Sequence, residues 1–154
     1  MFSQTTEYAM RAMSWLALSP ERLVPTAELA ERTLVPPHYL AKVLQQLAAA
    51  QLIQGRRGVR GGYKLSRPAR DVTLLDVVQA VAEVKRITTC PLGLANHGPN
   101  LCPLHKRVDS AAKAIIDLYG SINLQQLIDD PNANKPLCDT QMTAKLTVGG
   151  AAIS

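Results

Sequence analysis

The stretch that most constrains the fold is LIQGRRGVRGGYKL, at residues 52–65. It sets four glycines and three arginines between two short apolar segments, residues 52–53 and 63–65. Apolar and β-branched flanks favour strands, and glycine permits the positive φ angles of a tight turn. The stretch therefore predicts an antiparallel β-hairpin with a basic tip.

Three helices are predicted before this hairpin, over about residues 3–18, over about residues 26–32 and from residue 37 onward. In the third helix, Leu40, Val43, Leu44 and Leu47 recur at helical spacing and form a buried stripe. A short helix, a tight connection and a second helix with a polar outer face are typical of a helix-turn-helix, with a plain helical hairpin as the alternative. Because the hairpin follows directly, the pattern favours a mainly α chain with a winged helix-turn-helix.

The excess positive charge lies in this same part of the chain. The net charge is +5, and residues 1–67 hold nine Lys and Arg against four Asp and Glu, whereas residues 68–154 hold eight of each. Such a one-sided excess is expected of a surface that binds nucleic acid, although solvated surface charge can also be unevenly distributed. Charge alone leaves both interpretations open, but together with the predicted winged helix it favours double-stranded DNA as the partner.

The candidate DNA-binding residues are polar side chains of the third helix, which can reach base edges, and arginines of the hairpin, which can reach phosphates or a narrow minor groove. They are His38, Lys42, Gln45, Gln46, Arg56, Arg57 and Arg60. Tyr39, between these helix positions, is expected in the core.

The second half of the chain is predicted to contain a helix capped by Thr73 and a longer helix over residues 103–119. The long helix carries an apolar stripe formed by Val108, Ala111, Ala112, Ile115 and Tyr119. A small winged helix cannot cover this stripe, so we predict a dimerisation helix and a homodimer. We divide the chain into a winged helix-turn-helix (1–83), a sensor loop (84–106), the dimerisation helix with a short C-terminal helix (107–129) and a disordered tail (130–154).

The loop TTCPLGLANHGPNLCPLHKR, residues 88–107, holds two of the three cysteines and two of the three histidines. An odd cysteine count argues against a disulfide framework. Cys90, His97, Cys102 and His105 have the residue types of a structural zinc site. The loop also fits a metal-free redox pair of thiols, or two ordinary buried cysteines beside exposed histidines. Cys138, in the predicted tail, is disfavoured as a ligand because it would lose entropy on binding.

Five motifs in order make the chain resemble the Rrf-type family of bacterial transcriptional regulators, which includes the IscR-like iron–sulfur regulators and the NsrR-like nitric-oxide sensors. The motifs are TTEYAMRAM, HYLAKVLQQL, RGVRGGYKLSRP, VTLLDVVQAV and the cysteine loop, within residues 1–129. The resemblance implies a homodimeric winged-helix repressor, with a helix crossing between subunits. It also implies an iron–sulfur cluster in the loop before that helix.

The resemblance carries over to individual residues of the loop and of the first helix. Cys90 matches the first of the three cysteines that cluster-binding members have, and Cys102 matches the third. The middle cysteine is absent, since its position falls near residues 96–97. His105 matches a histidine ligand of some relatives, and Glu7 matches an acidic residue that in others reaches the cluster of the partner subunit. The resemblance thus implies a metal site of Cys90, Cys102, His105 and Glu7. It favours a two-iron cluster, which tolerates mixed ligation, with zinc as the alternative.

The sequence also bears on other classes of function. No apolar run approaches the roughly 20 residues of a membrane span, and we expect no signal peptide and a cytoplasmic location. No convincing base and orienting group accompany the cysteines beyond the histidines of the loop, so we do not expect an enzyme. A winged helix that binds another protein remains the second class of function.

Overall fold

The computed structural model describes residues 3–93 and 100–131. The order of elements is α1 (Gln4–Ala17), α2 (Thr26–Thr33), α3 (Pro37–Ala49), β1 (Ile53–Arg56), β2 (Gly62–Leu65), α4 (Leu74–Val81), α5 (Pro103–Gly120) and α6 (Leu124–Asp129), with a single 3₁₀ turn (Ala69–Asp71) before α4. The predicted winged helix-turn-helix is therefore confirmed.

Helix α1 lies at the centre of the winged helix. It begins at the cap Ser3, whose hydroxyl accepts a hydrogen bond from the amide of Thr6. It packs against α2, α3, α4 and α6. Met13 and Leu16 of α1 are fully buried, together with the predicted stripe of α3. Burial of these aliphatic side chains is the main contribution that holds the helices together.

The wing, which we define as the β1–β2 hairpin and its connecting turn, is a two-stranded antiparallel sheet. Ile53 pairs with Leu65 at its base, and Arg56 pairs with Gly62 near its tip. Val24, just before α2, adds an isolated bridge to Tyr63 through backbone hydrogen bonds of 2.8 and 2.9 Å. The wing is thus fastened to the start of the helix-turn-helix.

The segment around α6 returns to the winged helix. Thr73 caps α4 as predicted, and it does so in a capping box with Asp76. The residues on either side of Thr73 form backbone hydrogen bonds with the start of α6 and the segment before it. The amide of Leu74 donates to the carbonyl of Ile122, and the amide of Leu124 donates to the carbonyl of Val72, both at 2.9 Å. Leu124 is consequently 1% exposed, in the same core as α1.

Helix α5 differs from the other long helices because none of its residues is buried within this chain. It packs against α4. Leu104, Val108 and Leu118 are 67%, 47% and 56% exposed.

Among the described residues, no helix is long and apolar enough to cross a membrane. From residue 132 onward, the predicted disordered tail lies outside the described residues.

Candidate DNA-binding face and cysteine site

Helix α3 has one buried face and one exposed polar face. Leu40, Val43, Leu44 and Leu47 are buried, whereas the four predicted DNA-binding residues of this helix are exposed: His38, Lys42, Gln45 and Gln46. The turn before α3 reverses the chain at Leu34, which has a left-handed φ of 54°. α3 is therefore the second helix of the helix-turn-helix, and its polar face is open to solvent.

The wing presents the three predicted arginines beside this helix. Arg56, Arg57 and Arg60 are all exposed, and within the described part of the chain no ion pair engages them. Arg56 and Arg57 line a cleft of about 560 Å³ that also includes Thr26, the first residue of α2, and Ala48 of α3. The wing therefore places three positive charges beside the helix-turn-helix, and no acidic side chain of the described chain forms an ion pair with them.

Tyr39 of α3 is exposed. The prediction that Tyr39 lies in the core is wrong, because its side chain is 46% exposed. Its ring lies 4.2 Å from that of His38 and 6.1 Å from that of Tyr8, measured between centroids. With Lys42, Gln45 and Gln46 it lines a second cleft of about 330 Å³ between α1, α3 and the end of α4. Tyr39 therefore belongs to the exposed face of α3.

The structure brings Cys90, Cys102 and His105 together, and we call these three residues the cysteine site. Cys102 is the N-cap of α5, so His105 lies one turn into the helix on the same side. The Nδ1 atom of His105 is 3.3 Å from the Sγ atom of Cys102 and 4.0 Å from the Sγ atom of Cys90. Cys90 is buried and Cys102 is partly exposed, and neither forms a disulfide. His97 and Cys138 lie outside the described residues.

The donor types of the cysteine site suit a metal, but the set is incomplete. Two thiols and an imidazole are ligand types for zinc and for iron–sulfur clusters. Within residues 3–93 and 100–131, however, no group of three or more His, Cys, Asp or Glu side chains is arranged to hold a metal ion. Glu7 lies on α1, where its carboxylate accepts a 3.0 Å hydrogen bond from Arg11. A metal centre would therefore need a rearrangement of these side chains or a ligand from elsewhere.

The chain leading to the cysteine site is held against α5 by an ion pair that the sequence did not predict. Arg86 donates to both carboxylate oxygens of Asp109, at 2.6 and 2.7 Å, and the amide of Ile87 donates to the same carboxylate at 2.9 Å. The hydrogen bond from Arg86 lowers the pKa of Asp109 to about 2. Asp109 thus stays ionised and fixes residues 86–87 on the first half of α5.

Arg11 connects α1 to the helix-turn-helix and was also not predicted. Besides its bond to Glu7, its guanidinium donates to the carbonyl of Thr33 at 3.3 Å, at the end of α2. The same guanidinium lies 6.0 Å from the ring centroid of Tyr8. Arg11 therefore links Glu7 to Thr33, which lies just before the turn that precedes α3. Glu7 is the residue that the resemblance implies as a ligand.

A helix-turn-helix with an exposed polar second helix and a basic wing defines a winged-helix DNA-binding regulator of transcription. The chain belongs to the Rrf2 family, described as an iron-dependent transcriptional regulator, whose family model matches residues 2–130. Both the predicted resemblance and the prediction that the chain is not an enzyme are confirmed, since this is a family of regulators.

Individual relatives of the chain are likewise described as transcriptional regulators. The chain is 33% identical over 122 residues to the regulator IscR of Xenorhabdus nematophila, covering 79% of this chain and 74% of that protein. It is 27% identical over 132 residues to a putative HTH-type transcriptional regulator of Aquifex aeolicus, covering 84% of this chain and 92% of that protein. Among solved structures, IscR of T. potens superposes with a TM-score of 0.71 at 23% identity, over 93% of this chain and 96% of that chain. CymR of B. subtilis superposes with a TM-score of 0.67 at 20% identity, over 82% of this chain and 95% of that chain.

Proposed function

We propose that this chain acts as a homodimeric, cytoplasmic transcriptional repressor whose affinity for duplex DNA depends on the state of the cysteine site. In the dimer, two copies of α3 enter successive major grooves about one helical turn apart, and each wing contacts the flanking minor groove or phosphates. The side chains that contact DNA are His38, Lys42, Gln45, Gln46, Arg56, Arg57 and Arg60.

The observation that carries the DNA-binding part of this proposal is the open polar face of α3 beside wing arginines that no ion pair engages within the described chain. Gln45 and Gln46 can read adenine, and Lys42 can reach guanine or phosphate. Arginines without an acid nearby keep their full charge for phosphates. A winged helix that binds an acidic protein would use the same charges, but it would not need amide side chains at base-reading positions.

Helix α5 supports the homodimer. Its exposed apolar residues Leu104, Val108 and Leu118 are joined on one face by Ala111 and Ile115. These positions follow a spacing of four and three residues, which is the seam of a helix that packs lengthwise against another helix. A second copy of α5 has the matching face, so a twofold pair would cover both stripes.

The cysteine site supports the sensing part of the proposal. The family model is described as an iron-dependent regulator, and two thiols with one imidazole are compatible with mixed ligation of a two-iron cluster. Cys90, Cys102 and His105 would hold the cluster, and Glu7 of a second copy would complete the set. The bound cluster would supply redox sensitivity. Zinc or a metal-free pair of thiols would keep the same position and give the site a structural or thiol-redox role.

The position of the site explains how its state would reach the DNA-binding face. It lies where the chain leaves α4 of the winged helix and begins α5, so its ligation fixes the direction of one relative to the other. A dimer with two arrangements of its winged helices would bind DNA well in only one of them. A change at the site would then shift the population between the two. In this scheme the sensor loop, residues 84–106, is the link between winged helix and dimerisation helix.

Metal analysis of anaerobically purified protein tests the sensing part. Iron, sulfide and zinc are measured per chain for the unmodified protein and for Cys102→Ser, in which serine preserves a good N-cap for α5. We expect matched iron and sulfide in the unmodified protein and their loss in Cys102→Ser, whereas Cys138→Ser, the matched control, keeps them. Full iron in Cys102→Ser would contradict the ligand set. Zinc or no metal in the unmodified protein would contradict the cluster and leave the alternatives above.

A further inference from the structure

The tip of the wing exposes one apolar side chain. Gly58 and Gly61 close a turn in which the amide of Gly61 donates to the carbonyl of Gly58 at 2.9 Å. Val59 and Arg60 are the two residues at the corner of this turn. The side chain of Val59 is fully exposed, at 107% of its reference area. No other residue of the described chain presents so large an apolar side chain so completely to solvent.

The glycines around the tip fix its direction. Gly58 has a φ of +108°, which a residue with a side chain adopts only with strain. A Cβ atom on Gly61 would lie 2.2 Å from the carbonyl oxygen of Arg56, and one on Gly62 would lie 2.4 Å from that of Val24. The backbone is therefore tightly packed beneath the corner, and the turn carries Val59 outward on a defined support.

The neighbours of Val59 determine what it would meet. Arg57 and Arg60 on either side are exposed, and arginines of this kind are attracted to phosphates and to narrow minor grooves. An apolar side chain held between them would be carried to the same groove. The valine side chain is too short to contact the floor of the minor groove unless the tip of the wing enters the groove. Because Val59 lies at the corner of the turn, it would be carried in with the tip.

The floor of the minor groove differs chemically between base pairs. A G·C pair exposes the N2 amino group of guanine, whereas an A·T pair exposes only acceptors and leaves room beside the adenine ring. A valine side chain packed against the guanine amino group would exclude water from that group without offering it an acceptor. Burial of an unsatisfied donor costs binding free energy. Against an A·T pair the same valine covers only ring-nitrogen and carbonyl acceptors, which a G·C pair presents as well. It therefore buries apolar surface there without the added cost of an unsatisfied donor.

We propose that Val59 is a specificity-determining residue, which contacts the floor of the minor groove and favours A·T over G·C pairs beneath the wing. This inference rests on the proposed DNA binding by α3 and the wing. It assigns selectivity to an uncharged residue, while the arginines supply affinity that depends little on sequence.

Duplexes with and without the guanine amino group test the assignment. Random-sequence duplexes of one length are prepared with guanine or with inosine at every guanine position, since inosine lacks the amino group but keeps the major-groove edge. Binding is followed by fluorescence anisotropy at fixed salt. We expect the unmodified protein to bind the inosine duplexes about fivefold more tightly, which corresponds to ~1 kcal/mol.

Two variants identify the side chain responsible. Val59→Thr keeps the shape but adds a hydroxyl that can accept a hydrogen bond from the amino group, so the preference should fall to near unity. Val59→Ile, the conservative control, should preserve it. A preference that persists in Val59→Thr would assign it to the arginines and overturn the proposal, as would equal binding of both duplexes by the unmodified protein. Failure to bind either duplex in a salt-sensitive way would instead refute the proposed DNA binding itself.

Discussion

Asp109 on α5 accepts hydrogen bonds from both Nε and the terminal nitrogen of Arg86, at 2.6 and 2.7 Å, across 23 positions of sequence. The same carboxylate accepts the amide of Ile87. The entry to the sensor loop is therefore attached to the proposed dimerisation helix by three hydrogen bonds to one side chain.

Replacing Asp109 by asparagine should loosen this attachment. The amide keeps the size of the side chain but loses the charge that both Arg86 and Ile87 use, and charge-assisted bonds are the stronger ones. We expect faster hydrogen–deuterium exchange at Ile87 and its neighbours, measured by mass spectrometry on peptides covering residues 82–93. Asp129→Asn, which alters a carboxylate that accepts a hydrogen bond from Gln125 within α6, is the control and should leave that exchange unchanged. Equal exchange in Asp109→Asn and the unmodified protein would contradict the role of the pair.

The same attachment has a defined pH dependence. The pKa of Asp109 is lowered from 3.8 to about 2, chiefly by the hydrogen bond from Arg86. The contribution of ionised Asp109 to the stability of this attachment is therefore fully present above about pH 4, and it is lost as the pH falls through about 2. Exchange at Ile87, corrected for the intrinsic rate, should thus be constant from neutral pH down to pH 4.

Removing wing arginines should flatten the salt dependence of DNA binding. Each arginine that neutralises a phosphate contributes about 0.9 to the slope of log affinity against log salt. Arg57→Ala and Arg60→Ala should each reduce the slope by up to that amount, measured on random duplex DNA by anisotropy titrations. Arg107→Ala removes an equal charge from α5 and is the matched control. A slope that changes equally in all three variants would reflect net charge alone and count against the wing as a contact.

A charge in the apolar stripe of α5 should dissociate the proposed dimer. Val108 is 47% exposed in the single chain and lies on the apolar face that also carries Leu104 and Leu118. Glutamate there would be buried against its copy, at a large desolvation cost. Sedimentation equilibrium should give twice the chain mass of 16.7 kDa for the unmodified protein and a single chain mass for Val108→Glu. Ser110→Glu, on another side of the helix, should remain dimeric. Dimeric Val108→Glu would exclude this face.

Relief of backbone strain before α3 should stabilise the fold. Leu34 has a φ of 54° and is 74% exposed, so its side chain gains little from burial. A left-handed conformation costs a non-glycine residue roughly 1 kcal/mol, and asparagine tolerates it better. Leu34→Asn should therefore raise the free energy of unfolding in urea by about 0.5 kcal/mol. Leu92→Asn changes a similarly exposed leucine without positive φ and should have little effect. Equal changes in the two variants would rule out strain at Leu34.

The parts of this fold that sequence predicted are those with local causes. The stripe of α3, the glycines of the wing and the capping box of Thr73 each specify their own geometry within a few residues. The pairing of Cys102 with His105 was also local, because three residues are about one helical turn. These features gave both the winged helix and most of the candidate DNA-binding face.

The contacts that sequence could not predict join residues far apart in the chain. Arg11 meets the carbonyl of Thr33 only after α1 and α2 pack together. Tyr39 looks apolar in sequence, and its exposure depends on how α3 lies against α1. The 4.0 Å between Cys90 and His105 joins residues fifteen positions apart, and the proposed fourth ligand comes from a second copy, so a residue pattern specifies neither.

Control of DNA binding by the cysteine site is tested by comparing the DNA affinity of the protein with an intact and with an altered site. A duplex selected from a random library by the anaerobic protein is titrated with the unmodified protein, with Cys102→Ser and with Cys138→Ser, all without oxygen. We expect the affinity of Cys102→Ser to differ by about tenfold or more, the size of a typical coupling between sites, while Cys138→Ser matches the unmodified protein. Identical affinities for all three proteins would show that the cysteine site does not control DNA binding.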